Sequence, residues 1–160
     1  MKDTRQDSPA SSVPERQGAR LPSDKELVLR VMPMPADANG NGDIFGGWIM
    51  AQVDLAGSVL PARIARGRIT TVAVNQFIFK QPVSVGDLLS FYAHVTRIGN
   101  TSVSVHVEVY AERNPKSPVI VKVTEADLTY VAIDKEGMPR QIPRDEDGQP
   151  LGALRASQSD

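Results

Sequence analysis

The run Asn39-Gly40-Asn41-Gly42-Asp43-Ile44-Phe45-Gly46-Gly47-Trp48 gathers residue types that can act on a carbonyl group. Glycine has no Cβ, so a backbone there can approach a ligand closely. Directly after the glycine pair, Ile49, Val53, Ala56, Leu60 and Ile64 recur at steps of three and four, one face of a helix. A helix starting at about Gly47 or Trp48 presents unpaired N–H groups and the positive end of its dipole at that point. Such a place suits a polarised carbonyl oxygen or a developing oxyanion. Asp43 stands a few residues ahead, and a carboxylate there can activate water or attack the carbonyl itself. The same position also suits a helix cap or a loop anchor. Spacing alone leaves both readings open.

Other chemistries have less to work with. The chain has 160 residues and no cysteine, which excludes disulfides, thiolate catalysis and cysteine-based zinc sites. There are two histidines, His94 and His106. If Gly99-Asn100-Thr101 is a hairpin loop, they face each other across two strands as a solvated pair. Two ligands are too few for an ordinary zinc site, so no metal is expected. The formal net charge of -1 argues against nucleic-acid binding. Asp54 is a second acid, inside the helix, where an ionised carboxylate needs hydrogen-bond partners. A structural role, facing a partner subunit, is the preferred reading for it.

The elements that must hold these residues are legible in outline. Residues 1–22 carry Pro9, Pro14, Pro22 and charges with few large apolar side chains, so a disordered tail is expected. Nothing in them reads as a signal peptide or membrane span, which makes a cytoplasmic location the default. Residues 23–143 read as one domain and 144–160 as a flexible tail. Glu26 to Val31 is a short strand, and 36–43 is a loop dense in turn formers. The helix is apolar nearly all round, which predicts a buried helix weakened by Gly57 and Pro61 and ended by Gly67. Ile69–Phe79, Leu88–Ile98, Ser102–Tyr110 and Val119–Ile133 follow as strands. In the third of these, Val103, Val105, Val107 and Val109 take one face. The apolar phase slips at Asn75-Gln76 and at Thr124-Glu125, which predicts a bulge or bend near each. One long helix and these strands imply an α+β hotdog fold: a curled antiparallel sheet wrapped around one long central helix. The open sheet edge calls for a partner, and a dimer with a continuous sheet supplies one.

The Asn39 to Trp48 run, the following Ile49-Met50-Ala51-Gln52-Val53-Asp54, the Pro82-Val83-Ser84-Val85-Gly86-Asp87 turn and Thr101-Ser102-Val103-Ser104-Val105 resemble the bacterial short acyl-CoA thioesterases of the hotdog superfamily. The resemblance runs from about Leu27 to Pro143. It implies hydrolysis of acyl-CoA to a free acid and CoA, with no metal or prosthetic group. It implies that Asp43 is the catalytic carboxylate and that the Gly47 amide polarises the thioester carbonyl. It also implies homodimers building a larger homo-oligomer, a hexamer being expected, with sites at subunit interfaces. Substrate contacts are expected from Asn39, Asn41, Phe45, Gly46, Trp48, Lys80 and the Asn100-Thr101-Ser102 turn, and Arg97, Arg113 and Lys116 are further candidates for the CoA phosphates. Phe45, Trp48, Phe77 and Phe79 either line an acyl tunnel or belong to the core.

Two rival readings keep the same residues. An acyl-thioester dehydratase on this fold would resemble its relatives in using a histidine, and none lies near the Asn39 to Trp48 loop. A non-catalytic acyl-CoA binding or sensing module would have no evident need of Asp43.

Overall fold

The structure is a computed structural model and describes residues 18–152. Strand β1 is Glu26–Val31, helix α1 is Gly46–Ala65, and strands β2 to β5 are Ile69–Phe79, Leu88–Ile98, Ser102–Arg113 and Val119–Ala132. A single 3-10 turn, Pro35–Asp37, sits inside the segment read as loop. The five strands form one antiparallel sheet in the order β1-β3-β4-β5-β2. Helix α1 packs against all five of them. This is the expected hotdog arrangement.

The core lies between α1 and the concave face of the sheet. Ile49, Val53, Ala56 and Ile64 meet Val103, Val105, Val107 and Val109, all buried. Each fully buried valine contributes roughly 1.5–2 kcal/mol, so strand alternation alone orients β4 firmly.

Both expected phase slips are bulges. The β2–β5 ladder steps from Val74↔Leu128 to Gln76↔Asp127 and leaves Asn75 unpaired. The β4–β5 ladder steps from Val109↔Thr124 to Tyr110↔Lys122 and leaves Val123 out, one residue earlier than the pattern indicated. Three more irregularities leave Val28, Val72 and Thr96 unpaired; no change of apolar phase announces them in the sequence.

Three expectations need correction. The helix is not buried all round: Met50 is 43% and Leu55 59% exposed on the side away from the sheet. Pro61 lies inside it without ending it. Its left-handed end residue is Arg66, at φ 49°, rather than Gly67. Arg140 explains the role of the glycine, because its guanidinium donates to the Ala65 carbonyl at 2.8 Å and a Cβ on Gly67 would lie 2.7 Å from it. Finally, order extends past Pro143. Arg144 donates to the Gly99 carbonyl at 2.9 Å, Leu151 N–H to Pro143 at 3.0 Å, and Arg66 to Leu151 at 3.1 Å. At the other end Ala19 N–H donates to Ile120 at 2.8 Å, on the part of β5 that β2 does not reach. The rest of both expected tails, 1–17 and 153–160, lies outside the described residues.

Candidate active site

The loop ahead of the helix is closed by Asn39. Its side-chain oxygen accepts the N–H groups of Asn41 at 2.9 Å and Asp43 at 3.2 Å. Its own N–H donates to the Asp43 carbonyl at 2.7 Å. Gly42, at φ 87°, makes the tight turn between them. Asp43 also bridges to Ser84, and Ile44 N–H donates to Val83 at 2.9 Å. That second loop is itself anchored: the buried Asp87 carboxylate accepts Ser84 N–H and Arg113 Nε, each at 3.0 Å. The loop before α1 therefore rests on a fixed turn rather than on its own glycines.

At the start of α1, Trp48 and Ile49 both donate to the Phe45 carbonyl, at 3.0 and 3.3 Å. The N–H groups of Gly46 and Gly47 have no acceptor among the described residues. The two glycines differ in what demands them. A Cβ on Gly46 would lie 3.2 Å from the Phe79 ring, whereas one on Gly47 would meet nothing within 4 Å. Gly46 serves packing inside the chain, while nothing among the described residues requires a glycine at 47. A cleft of about 330 Å³ opens beside this helix end, between Ile44, Gly46, Ile49, Phe79, Lys80 and Val83. A larger cleft of about 420 Å³ lies at the opposite end of the helix, between Leu60, Ile64, Val95 and Ile98. It is remote from the free N–H groups, and Gly152 on its wall leads directly into residues outside the described range.

The two acids occupy contrasting settings. Asp43 is exposed, and its carboxylate makes no hydrogen bond among the described residues. Asp54 is half-buried. Its Oδ1 accepts the Thr71 hydroxyl at 2.7 Å and the Tyr130 hydroxyl at 3.1 Å, while its Oδ2 accepts nothing among the described residues. A carboxylate with one oxygen held and the other free is oriented for use. The partners it has within this chain come from β2 and β5. Thr71 and Tyr130 were missed by sequence reasoning; the only signal was the need of a helical carboxylate for donors.

The remaining candidates divide. Phe45 is exposed, Trp48 half-buried, and Asn41 exposed at the loop tip. Phe79 lines the cleft and touches Phe77 at 4.9 Å between ring centroids. Lys80 is at the cleft and pairs with Glu125 at 3.1 Å. Arg113 is committed to Asp87 and Pro82, and Arg97 and Lys116 are exposed. The Asn100-Thr101-Ser102 turn is not brought to Gly47. It lies at the far end of β3 and β4, tied to Ile142 and Ala132 through the Asn100 and Thr101 carbonyls at 2.8 Å.

The face of the sheet away from the helix carries the histidines. His94 and His106 are paired in register, 5.4 Å between ring centroids. They are not simply solvated. Burial and the neighbouring His106 lower the His94 pKa, and His106 Nδ1 lies 2.7 Å from Asp127. Beside them Glu108 accepts from Lys25 at 2.9 Å and Lys122 at 2.7 Å. His106, Glu108 and Glu125 bring possible ligand atoms within 4.8 Å of one another. Lysine ammonium groups already sit on both carboxylates, which is the wrong environment for a cation.

The sequence pattern of the Thioesterase superfamily matches residues 41–117, the loop, helix and first hairpin just described. Acyl-CoA thioester hydrolase YciA of Escherichia coli (strain K12) is 48% identical over 120 residues, covering 74% of this chain and 91% of that one. The chain belongs to the acyl-CoA thioester hydrolases of the thioesterase superfamily. Among solved structures, HI0827, a hexameric broad specificity acyl-coenzyme A thioesterase in an aspartate-to-alanine mutant form, superposes with a TM-score of 0.75. It is 42% identical, covering 82% of this chain and 96% of that one. The hexameric thioesterase y2039 from Yersinia pestis gives 0.72 at 45% identity, covering 78% of this chain and all of that one, 100%. Membership decides between the readings left open by the sequence: the thioesterase is a hydrolase, not a dehydratase or a binding module. No helix among the described residues is long and apolar enough to cross a membrane.

Proposed function

We propose that this acyl-CoA thioesterase polarises the thioester carbonyl at the free N–H of Gly47 and completes the reaction with a carboxylate. The observation that carries the site is the pair of unsatisfied N–H groups at a helix start with open space before Gly47. The acyl or pantetheine portion of the substrate lies along the cleft past Phe79, with Phe45, Gly46, Trp48 and Lys80 at its mouth. Water adds to the carbonyl carbon, or the carboxylate does so first and water then releases the acid. The C–S bond breaks, CoA leaves as a thiolate and takes up a proton. Water is the only co-reactant, and no cofactor enters the scheme. A cytoplasmic location fits the substrate.

Two acids compete for the role. The sequence puts Asp43 forward, with Asn39 and Asn41 beside it. The geometry favours Asp54, because its free Oδ2 is presented by two hydroxyls whereas the Asp43 carboxylate is unsupported. Thr71 lies in β2, one of the two edge strands of the sheet, where Val72 and Val74 are 54% and 45% exposed, and Asp54 is bonded to it. Pairing of two copies along β2 would cover that edge and set each Asp54 near the neighbouring copy. In such a homodimer the other copy supplies the Gly47 amide, and further dimers bring the Asn100-Thr101-Ser102 turn. A hexamer, as in the solved relatives, follows from stacking three dimers over exposed Met50 and Leu55.

The experiment is CoA thiol release from a panel of acyl-CoAs, short to long, by the wild type, Asp43→Ala and Asp54→Asn. Loss of ~100-fold in Asp54→Asn, about 2.7 kcal/mol of transition-state stabilisation, with a smaller loss in Asp43→Ala supports the assignment. The reverse order returns the role to Asp43. Full activity in both variants removes the carboxylate from the mechanism.

A further inference from the structure

The Tyr130 hydroxyl reaches from β5 into the helix–sheet core beside Asp54. The ring is fully buried, and the Oη shares its one proton between the Asp54 carbonyl at 2.8 Å and the Asp54 Oδ1 at 3.1 Å, a forked donation that pins the residue's backbone and carboxylate together. A phenol costs free energy in an apolar core unless it meets a partner, so this hydroxyl is placed, not incidental. The helix is shaped to receive it. A Cβ on Gly57 would lie 2.6 Å from the Oη, too close for any real side chain, while its other neighbours stand at 3.4 and 3.5 Å. Glycine in a helix interior costs about 1 kcal/mol relative to alanine. That cost is the signature of a close approach, and the atom approaching is the tyrosine oxygen.

We propose that Tyr130 is a positioning residue for hydrolysis: through the space left by Gly57 its hydroxyl, with that of Thr71, holds Asp54 Oδ1 so that Oδ2 faces the substrate. The proposal rests on the reading of Asp54 as the acting acid. The Thr71 hydroxyl and the shared tyrosine proton both fall on Oδ1, which leaves Oδ2 as the outward oxygen. Burial and the neighbouring Asp54 push the Tyr130 pKa up, so the phenol keeps its proton and stays a donor. Thr71 stands exposed on the edge strand of the single chain, whereas the Tyr130 ring is fully buried. The rigid member of the pair sets the angle.

The test compares Tyr130→Phe, Gly57→Ala and the double variant, each at the wild-type oligomeric state. In Tyr130→Phe, kcat is expected to fall about 10-fold with KM within about 2-fold. The acidic limb of the pH–rate profile is expected to move to higher pH, because the charged carboxylate has lost a donor. Gly57→Ala crowds the hydroxyl and should reproduce both changes on its own. In the Tyr130→Phe background the same alanine should cost less than about 2-fold in kcat and raise thermal stability, since only helix propensity remains. A merely structural tyrosine would lower stability without moving the pH limb. Unchanged kcat and pH profile in folded Tyr130→Phe, or equal losses from Gly57→Ala in both backgrounds, would overturn the proposal. Should Tyr130→Phe fail to fold, the pH limb of Gly57→Ala decides alone. Asp54→Asn separates the two levels: if it keeps full activity the acid assignment fails, and if it is inactive while Tyr130→Phe is normal only the positioning role fails.

Discussion

Glu108 offers the sharpest quantitative test of how the outer face of the sheet contributes to stability. Burial works against its charge, but hydrogen bonds from the Lys122 and Lys25 ammonium groups overcome that and hold its pKa at about 2 instead of 4.5. The side chain is only 10% exposed, so solvent screening is slight. Each factor of ten in proton affinity is worth about 1.4 kcal/mol, which gives roughly 3 kcal/mol of stability near neutral pH. The folded pKa lies below the unfolded one, so this contribution is complete above about pH 4.5 and disappears as pH falls through about 2. About half is gone by roughly pH 3. Glu108→Gln removes the charge and leaves Lys25 without its carboxylate, while Lys122 keeps Glu125 at 2.6 Å. Urea unfolding of both proteins at fixed concentration, from pH 7 to pH 3, measures the difference. A gap of about 2–3 kcal/mol at pH 7 that narrows steadily below pH 4.5 is expected. A gap that stays constant over that range would show that the lysine pairing is not what stabilises the wild type.

The glycine pair at the helix start separates packing from chemistry. Gly46→Ala is expected to cost about 1–2 kcal/mol, because its Cβ would press the Phe79 ring at 3.2 Å. Gly47→Ala meets nothing in the chain, so thermal unfolding should be unchanged or slightly improved while CoA release falls at least ~10-fold. Equal activity in Gly47→Ala and wild type would show that the substrate does not come close to the Cα of residue 47, because alanine keeps the amide and adds only a methyl group. At the open edge, Val74→Lys puts a charge on the exposed strand and should shift the sedimentation profile to smaller species, with activity falling in parallel. An unaltered profile would place the subunit contact elsewhere.

The local order of the chain was legible because it is written in short-range patterns. Alternating valines in β4, the three-and-four spacing in α1 and the turn formers at 36–43 each act within a few residues. Even the bulges at Asn75 and Val123 showed as changes of phase. The Asn39 to Trp48 motif placed the free N–H groups at a helix start for the same reason. Tertiary structure decided what surrounds each acid. Asp54 is held by Thr71 and Tyr130, which are 17 and 76 residues away, and no local periodicity encodes a partner at that range. The same holds for Gly57, which reads as a weak point in a helix until the Tyr130 hydroxyl is found above it. The 144–152 segment looked like a tail because it lacks apolar periodicity; arginine side chains tie it to residues far back in the chain instead, Arg144 to the Gly99 carbonyl and Arg66 to that of Leu151. A sequence records what each residue prefers over short distances. Which preferences are overruled depends on which distant groups the fold brings within about 3 Å.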